Sequence, residues 1–294
     1  MKIRIGLGFG PTIGPHEFTD AVELIERVGV DSLWLPELVH SHQVDPFVGM
    51  AHALSRTDHL KVGTGVAVLP GRHPVLVAKQ LTSMAGLAPG RVLPVFGLRP
   101  ARRAERDLFP VPEGRRAAVF DESLRLLRLL LDGGTTSFEG EFFTVEEAFV
   151  GPPPSKPLDI WLGGSAPAAL RRVGRFADGW LASFLTPDEA RQGRETIEAA
   201  ATEAGREIED DHYGINLTVA DEGVPDELAA TIRRRRPDID PSALVASSWP
   251  EARRLIERYI DAGLSKFVVR PASSTTAFPS FVDEFTAELM PMQN

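Results

Sequence analysis

Strand-like and helix-like segments alternate along almost the whole chain, and this alternation constrains the fold more than any other feature of the sequence. Apolar runs at residues 3–9, 32–35, 60–69 and 91–97 read as strands, each followed by an amphipathic stretch, at 17–28, 46–55, 74–87 and 113–131. Residues 158–162, 179–182, 213–219 and 266–269 supply four further strands, with helices at 167–176, 187–203, 250–262 and 279–289. Parallel strands need long crossovers, so strands separated by helices pair in parallel with the helices packed outside. Eight of each predict an α/β fold, a (β/α)8 TIM barrel, with a doubly wound open sheet as the alternative. A chain of 294 residues fits one such barrel, so residues 1–294 are read as a single domain.

Two segments fall outside the repeat. Residues 137–145 read as a short β-hairpin insertion around Glu139-Gly140, leading into a rigid Gly151-Pro152-Pro153-Pro154 linker. Residues 224–241 read as a helical insertion after strand seven that ends in Arg233-Arg234-Arg235-Arg236. Asp226, Glu227, Asp238 and Asp240 flank that basic run, so a solvated helix face is expected.

Charge and composition narrow the partners. A formal charge of −9 argues against a nucleic-acid binder, which needs a basic face. The absence of cysteine removes disulfides, thiolate metal sites and cysteine nucleophiles. No apolar stretch approaches membrane-spanning length, and the chain opens directly into a strand. A cytoplasmic protein with a small-molecule partner is expected, without nucleic acid or membrane.

In a barrel of this kind the residues just after each strand face the active end. That places Glu37, His40 and His42 after strand two, and Pro70, Arg72 and His73 after strand three. Arg99, Arg102, Arg103 and Glu105 follow strand four, and Arg270 lies after strand eight. The arginines either welcome an anionic ligand or pair with Glu105 and Asp107. His40 suits proton transfer near neutrality, or is a loop histidine without a role. Spacing of His40 and His42 fits two ligands of one ion, but too few further ligands lie nearby, and no metal is expected. No serine sits in a nucleophile elbow, and the Gly-x-Gly pairs lack a dinucleotide-binding context.

After strand five, Gly163-Gly164 breaks the apolar run, and Ser165 is placed to cap the helix that Pro167 starts. Strand, glycine turn and helix N-terminus together bare backbone amides suited to phosphate. An ordinary turn, in which the glycines only make the bend, is the other reading.

Several segments together resemble the luciferase-like monooxygenase superfamily, and within it the deazaflavin-dependent oxidoreductases. They are Gly29-Val30-Asp31-Ser32-Leu33-Trp34-Leu35-Pro36-Glu37, Val62-Gly63-Thr64-Gly65-Val66 with Pro70 and His73-Pro74, and Ala78-Lys79-Gln80-Leu81 running to Pro89-Gly90-Arg91. The series continues with Phe120-Asp121-Glu122, Phe138-Glu139-Gly140-Glu141-Phe142, Ile160-Trp161-Leu162-Gly163-Gly164 and Ala177-Asp178-Gly179-Trp180. The likeness covers roughly residues 3–182. It implies a barrel holding coenzyme F420, or alternatively FMN, in its mouth, and by analogy a homodimer. Gly163, Gly164 and Ser165 would bind the cofactor phosphate, with Gly179 and Trp180 closing that pocket. A non-proline cis peptide that props the ring would fall at Gly65-Val66, and Glu105 is counted among the residues facing the cofactor. Glu37 and His40 would serve hydrogen bonding and proton transfer in hydride transfer to a small organic substrate. The polyglutamate tail of F420 would meet Arg99, Arg102, Arg103 or Arg270. Two departures stand out: the histidine that the family often places beside the strand-two carboxylate is replaced by Leu38, and the loop after strand four reads Gly97-Leu98-Arg99-Pro100.

Overall fold

The computed structural model describes residues 1–10, 13–220, 223–272 and 277–294. In chain order its main elements begin with β1 (Arg4–Gly8), α1 (Pro15–Arg27), β2 (Ser32–Leu35), α2 (Pro46–Arg56), β3 (Lys61–Thr64), β4 (Ala67–Val68) and α3 (Pro74–Leu87). They continue with β5 (Val92–Leu93), β6 (Val95–Gly97), α4 (Arg116–Leu131), β7 (Thr136–Glu139), β8 (Thr144–Ala148), β9 (Trp161–Gly163), α5 (Pro167–Phe176) and β10 (Gly179–Ala182). The remainder is α6 (Pro187–Glu203), β11 (Tyr213–Val219), α7 (Asp226–Arg235), β12 (Val245–Ala246), α8 (Trp249–Asp261), β13 (Lys266–Pro271) and α9 (Phe278–Glu288). Among the described residues no helix is long and apolar enough to cross a membrane.

The main sheet is curled and parallel throughout. β1 pairs with β2, β2 with β3, β3 with β5, and β4 with β6. The ladder then runs β6, β9, β10, β11, β13 and back to β1. Only Gly65 and Val66 separate β3 from β4, and only Pro94 separates β5 from β6. Strands three and four of the alternation are therefore each broken once, and the ladder returns to where it starts. Proline has no N–H to give a ladder, which accounts for the second break. The Thr64 hydroxyl spans the gap, donating to Val95 O at 2.6 Å and accepting from Val95 N at 2.8 Å.

Other boundaries shift for local reasons. α4 starts at Arg116, not 113, because Gly114 turns the chain at φ +70°. The N-cap of α5 is Ala166, so Ser165 does not cap it as expected; Pro167 occupies the first turn, and the serine lies one residue outside. The expected hairpin is present as β7 and β8, apart from the main sheet. Glu122 of α4 pins its turn by accepting the amides of Glu141, Phe142 and Phe143 at 2.8–2.9 Å. The basic run at the end of α7 is not a uniformly solvated face. Arg236 pairs with Glu189 at 2.6 Å and donates to Phe184 O at 2.7 Å, while Arg233 and Arg234 are exposed.

Inside the sheet, Trp34, Val95, Trp161, Leu181 and Val268 form an apolar layer packed against Val66 and Leu93. Below it, Asp31 joins the N-terminal ends of neighbouring strands through Lys61 at 3.0 Å, Lys266 at 3.3 Å and Arg4 at 3.6 Å. Burial pushes the Asp31 carboxyl up, but Lys266 and Lys61 outweigh it and hold it down to about 2. A carboxyl depressed on folding stabilises above its unfolded value near 4 and loses that contribution as pH falls through its folded value. Asp31→Asn is therefore expected to cost about 2 kcal/mol at neutral pH, a gap that closes between about pH 4 and pH 2 in urea unfolding followed across pH.

Candidate functional site

The break in strand three aims Val66 into the C-terminal mouth of the sheet. The Gly65-Val66 peptide is cis, and Gly65 N still donates to Leu35 O at 2.7 Å, which keeps the turn attached to β2. Val66 lies between Gly97 and Gly163: a Cβ on either would meet its methyls at 2.7 Å and 3.1 Å. The turn and the β9–α5 glycines, far apart in sequence, are thus neighbours in the mouth.

Gly164 has φ +114°, a conformation that side chains resist, and it swings the chain from β9 toward α5. Gly164, Ser165 and Ala166 are exposed, and among the described residues their amides donate to no backbone carbonyl. With the α5 N-terminus behind them, they can hold an anion. Trp180 is fully buried and points outward from β10, and its Nε1 donates to Gly164 O at 2.8 Å. It fixes the turn from behind and does not face a ligand. Gly179 lies elsewhere: it begins β10, opposite the first residue of β9, buried against the Trp161 indole where a Cβ would clash. Its position is at the far end of the strand from Gly163 and Ser165, which removes it from the phosphate pocket.

Glu37 is buried, and both of its oxygens are used. One accepts Val68 N at 2.7 Å and the other pairs with Arg72. The guanidinium of Arg72 lies over the rings of Phe47 and Phe109, 5.3 Å and 5.4 Å from their centroids. Burial pushes the Glu37 carboxyl up despite the pull of Val68 N and Arg72. Its contacts make Glu37 the anchor of β4, directly after the cis turn; the expected proton-transfer role finds no free oxygen.

His40 is on the rim with an exposed side chain, and its backbone is clamped. His40 N donates to Glu105 Oε1 at 2.9 Å, and its carbonyl accepts from Arg102. Glu105 is completely buried, and its Oε2 has no partner. The carboxylate thus acts on the mouth through the His40 loop. His73 caps α3, its Nδ1 accepting Val75 N at 3.3 Å. The one cluster of three possible metal ligands among the described residues is Glu209, Asp211 and His212, and includes neither His40 nor His42.

Two features of the mouth escaped the sequence reading. Asn216 donates to Ala182 O and Ser183 Oγ while its Oδ1 stays buried and unpaired, and Arg270 Nε is likewise buried without a partner. Position after a strand signalled Arg270 as facing the mouth; nothing in the sequence signalled Asn216 or its unpaired oxygen. Orphaned polar atoms, a floor made by Val66 between two glycines, and a bare amide turn together fit a planar ring with a phosphate-bearing tail.

The model of the luciferase-like monooxygenase family matches residues 2–236. The chain belongs to that family. An uncharacterized protein of Mycobacterium tuberculosis is 36% identical over 163 residues, 55% of this chain and 56% of that protein, so the chain spans about half the length of such curated relatives. An F420-dependent glucose-6-phosphate dehydrogenase of Kineococcus radiotolerans is 23% identical across 95% of this chain and 93% of its own. Among solved structures, an F420-dependent secondary alcohol dehydrogenase in complex with an F420-acetone adduct superposes with TM-score 0.83 at 18% identity, covering 100% of both chains. That likeness establishes the fold, an α/β barrel of the luciferase-like type.

Because Trp180 holds the amide turn by one hydrogen bond, Trp180→Phe keeps the packing and removes the bond. Binding of a phosphate-bearing ligand is expected to weaken about tenfold, on the order of 1 kcal/mol, in a direct titration. Unchanged affinity would mean the turn holds its shape without the indole.

Proposed function

We propose that the chain is a coenzyme F420-dependent oxidoreductase that moves a hydride between C5 of the deazaflavin and a small organic substrate. The observation that carries this reading is the Val66 floor between Gly97 and Gly163, beside the bare amides of Gly164, Ser165 and Ala166. Relatives and fold neighbours named as F420-dependent support it. When bound, the coenzyme supplies hydride chemistry at C5, and the chain supplies placement and proton management.

The division of labour follows from the contacts. Val66 supports one face of the ring, and Gly163, Gly164 and Ser165 take the phosphate. Glu37 and Arg72 hold the strand that carries this support, and Glu105 holds the loop that carries His40. Of the two residues read as proton carriers, His40 keeps a side chain free to act. His40→Ala is expected to lower turnover about 100-fold while coenzyme affinity changes little, as general acid–base catalysis predicts. A large loss of affinity at unchanged turnover would remove His40 from catalysis.

The deciding experiment is titration of the purified protein with F420 and, separately, FMN, following ligand fluorescence. Selective binding of F420 with micromolar or tighter affinity is the expected result. Selective binding of FMN would make the protein a two-component monooxygenase of the same family. Coenzyme binding without turnover on any alcohol, aldehyde or activated alkene would leave a non-catalytic flavin-binding protein, and binding of neither would overturn the reading.

A further inference from the structure

The arginines of the mouth divide into those paired within the fold, those exposed on the rim, and one that lies inside without a carboxylate partner among the described residues. Arg72 is paired with Glu37, and Arg102 donates to His40 O beside Glu105. Arg116 donates to Phe109 O at 2.7 Å, and Arg99 and Arg103 are exposed on the rim. Arg270 comes from the C-terminal end of β13 and lies inside. Its stem crosses Gly8 of β1 so closely that no Cβ fits there, and its guanidinium reaches Gly65 O at 3.2 Å. A Cβ on Gly65 would stand 2.7 Å from the same nitrogen, so two glycines make the room this side chain occupies. The Nε is buried and without a partner, and among the described residues no carboxylate pairs with the group. Burial alone pushes its pKa down to about 10, so it is a cation at neutral pH.

Arg270 is half-buried with its Nε shut off from water, and a buried donor is costly unless it is met, while one carbonyl on Nη2 meets little of the group's charge. Its planar fork matches two oxygens of a carboxylate or phosphate. The coenzyme's phosphate already has its own cradle at the β9–α5 turn, beyond Val66 from Arg270. A tail leaving the barrel would meet the exposed Arg99 and Arg103, whereas Arg270 faces inward at the cis turn.

We infer that Arg270 binds an anionic group of the substrate, so that the protein's substrates are small molecules carrying a carboxylate or a phosphate. The assignment to substrate rests on the hydride-transfer reading above; the anion site itself does not. An anion held there lies against the turn that supports the ring, which orients the remainder of the substrate toward the hydride position.

The test is isothermal titration with inorganic phosphate and with acetate, on the protein with and without F420, in wild type, Arg270→Gln and Arg270→Lys. Wild type is expected to bind one of the two anions more tightly: phosphate for a phosphorylated substrate, acetate for a carboxylic acid. Arg270→Gln should weaken that binding at least tenfold, Arg270→Lys less, and F420 affinity should stay within about threefold in both. Equal anion affinity in wild type and Arg270→Gln overturns the inference. So does a tenfold loss of F420 affinity with anion binding intact, which would assign Arg270 to the coenzyme. If Arg270→Gln does not fold, Arg270→Lys decides, since it keeps the charge and loses the fork. Failure of wild type to bind F420 sinks the hydride reading alone, because the anion titration without coenzyme still tests Arg270.

Discussion

The contact on which the mouth depends is the Glu37 carboxylate. It takes the Val68 amide and the Arg72 guanidinium at once, inside a pocket walled by Phe47 and Phe109. A buried ion pair of this kind is a poor source of net stability, but losing one partner is severe. Its service is geometric: it fixes where strand three resumes after the cis turn, and so where Val66 enters the mouth. Thr64 performs the matching task on the other side of the break by replacing ladder bonds with hydroxyl bonds to Val95.

Much of this was legible in the sequence. Alternation of period-two and helical patterns located the strands of the curled sheet apart from the two-residue β12, which pairs with β11, because burial on both faces leaves long apolar runs bounded by glycine and proline. β2, β10, β11, α3, α5 and α6 have the expected bounds, while β9 begins later than the apolar run that announces it. The amide turn at Gly163-Gly164 and the turn at Gly65-Val66 were also found. What the sequence concealed is where side chains go once the chain folds. Glu37 and His40 look equally available on paper, yet one spends both oxygens on β4 and the other spends only its backbone. Gly179 and Trp180 are adjacent residues whose side-chain directions differ, since successive strand positions face opposite sides. One therefore makes room for Trp161 inside, and the other grips Gly164 from outside.

The two ends of the sheet treat their inward cations differently. At the N-terminal ends, Lys266 meets Asp31 and lies over the Trp34 ring, so the charge is balanced within the fold. Four residues further along the same strand, Arg270 finds only a carbonyl among the described residues. Closed electrostatics below and open electrostatics above separate the part of the chain that holds shape from the part that carries the candidate site.

The indole of Trp180 touches more than the turn it holds. Gly193 of α6 lies directly against its far edge, where a Cβ would come within 2.7 Å. An outer helix, distant from any ligand, thereby sets how far the indole reaches toward Gly164. Position 193 works as an adjusting screw: a side chain there would require the ring that holds Gly164 O to shift. The shape of the amide turn can thus be retuned from the outside of the barrel, with no change to a residue of the turn itself.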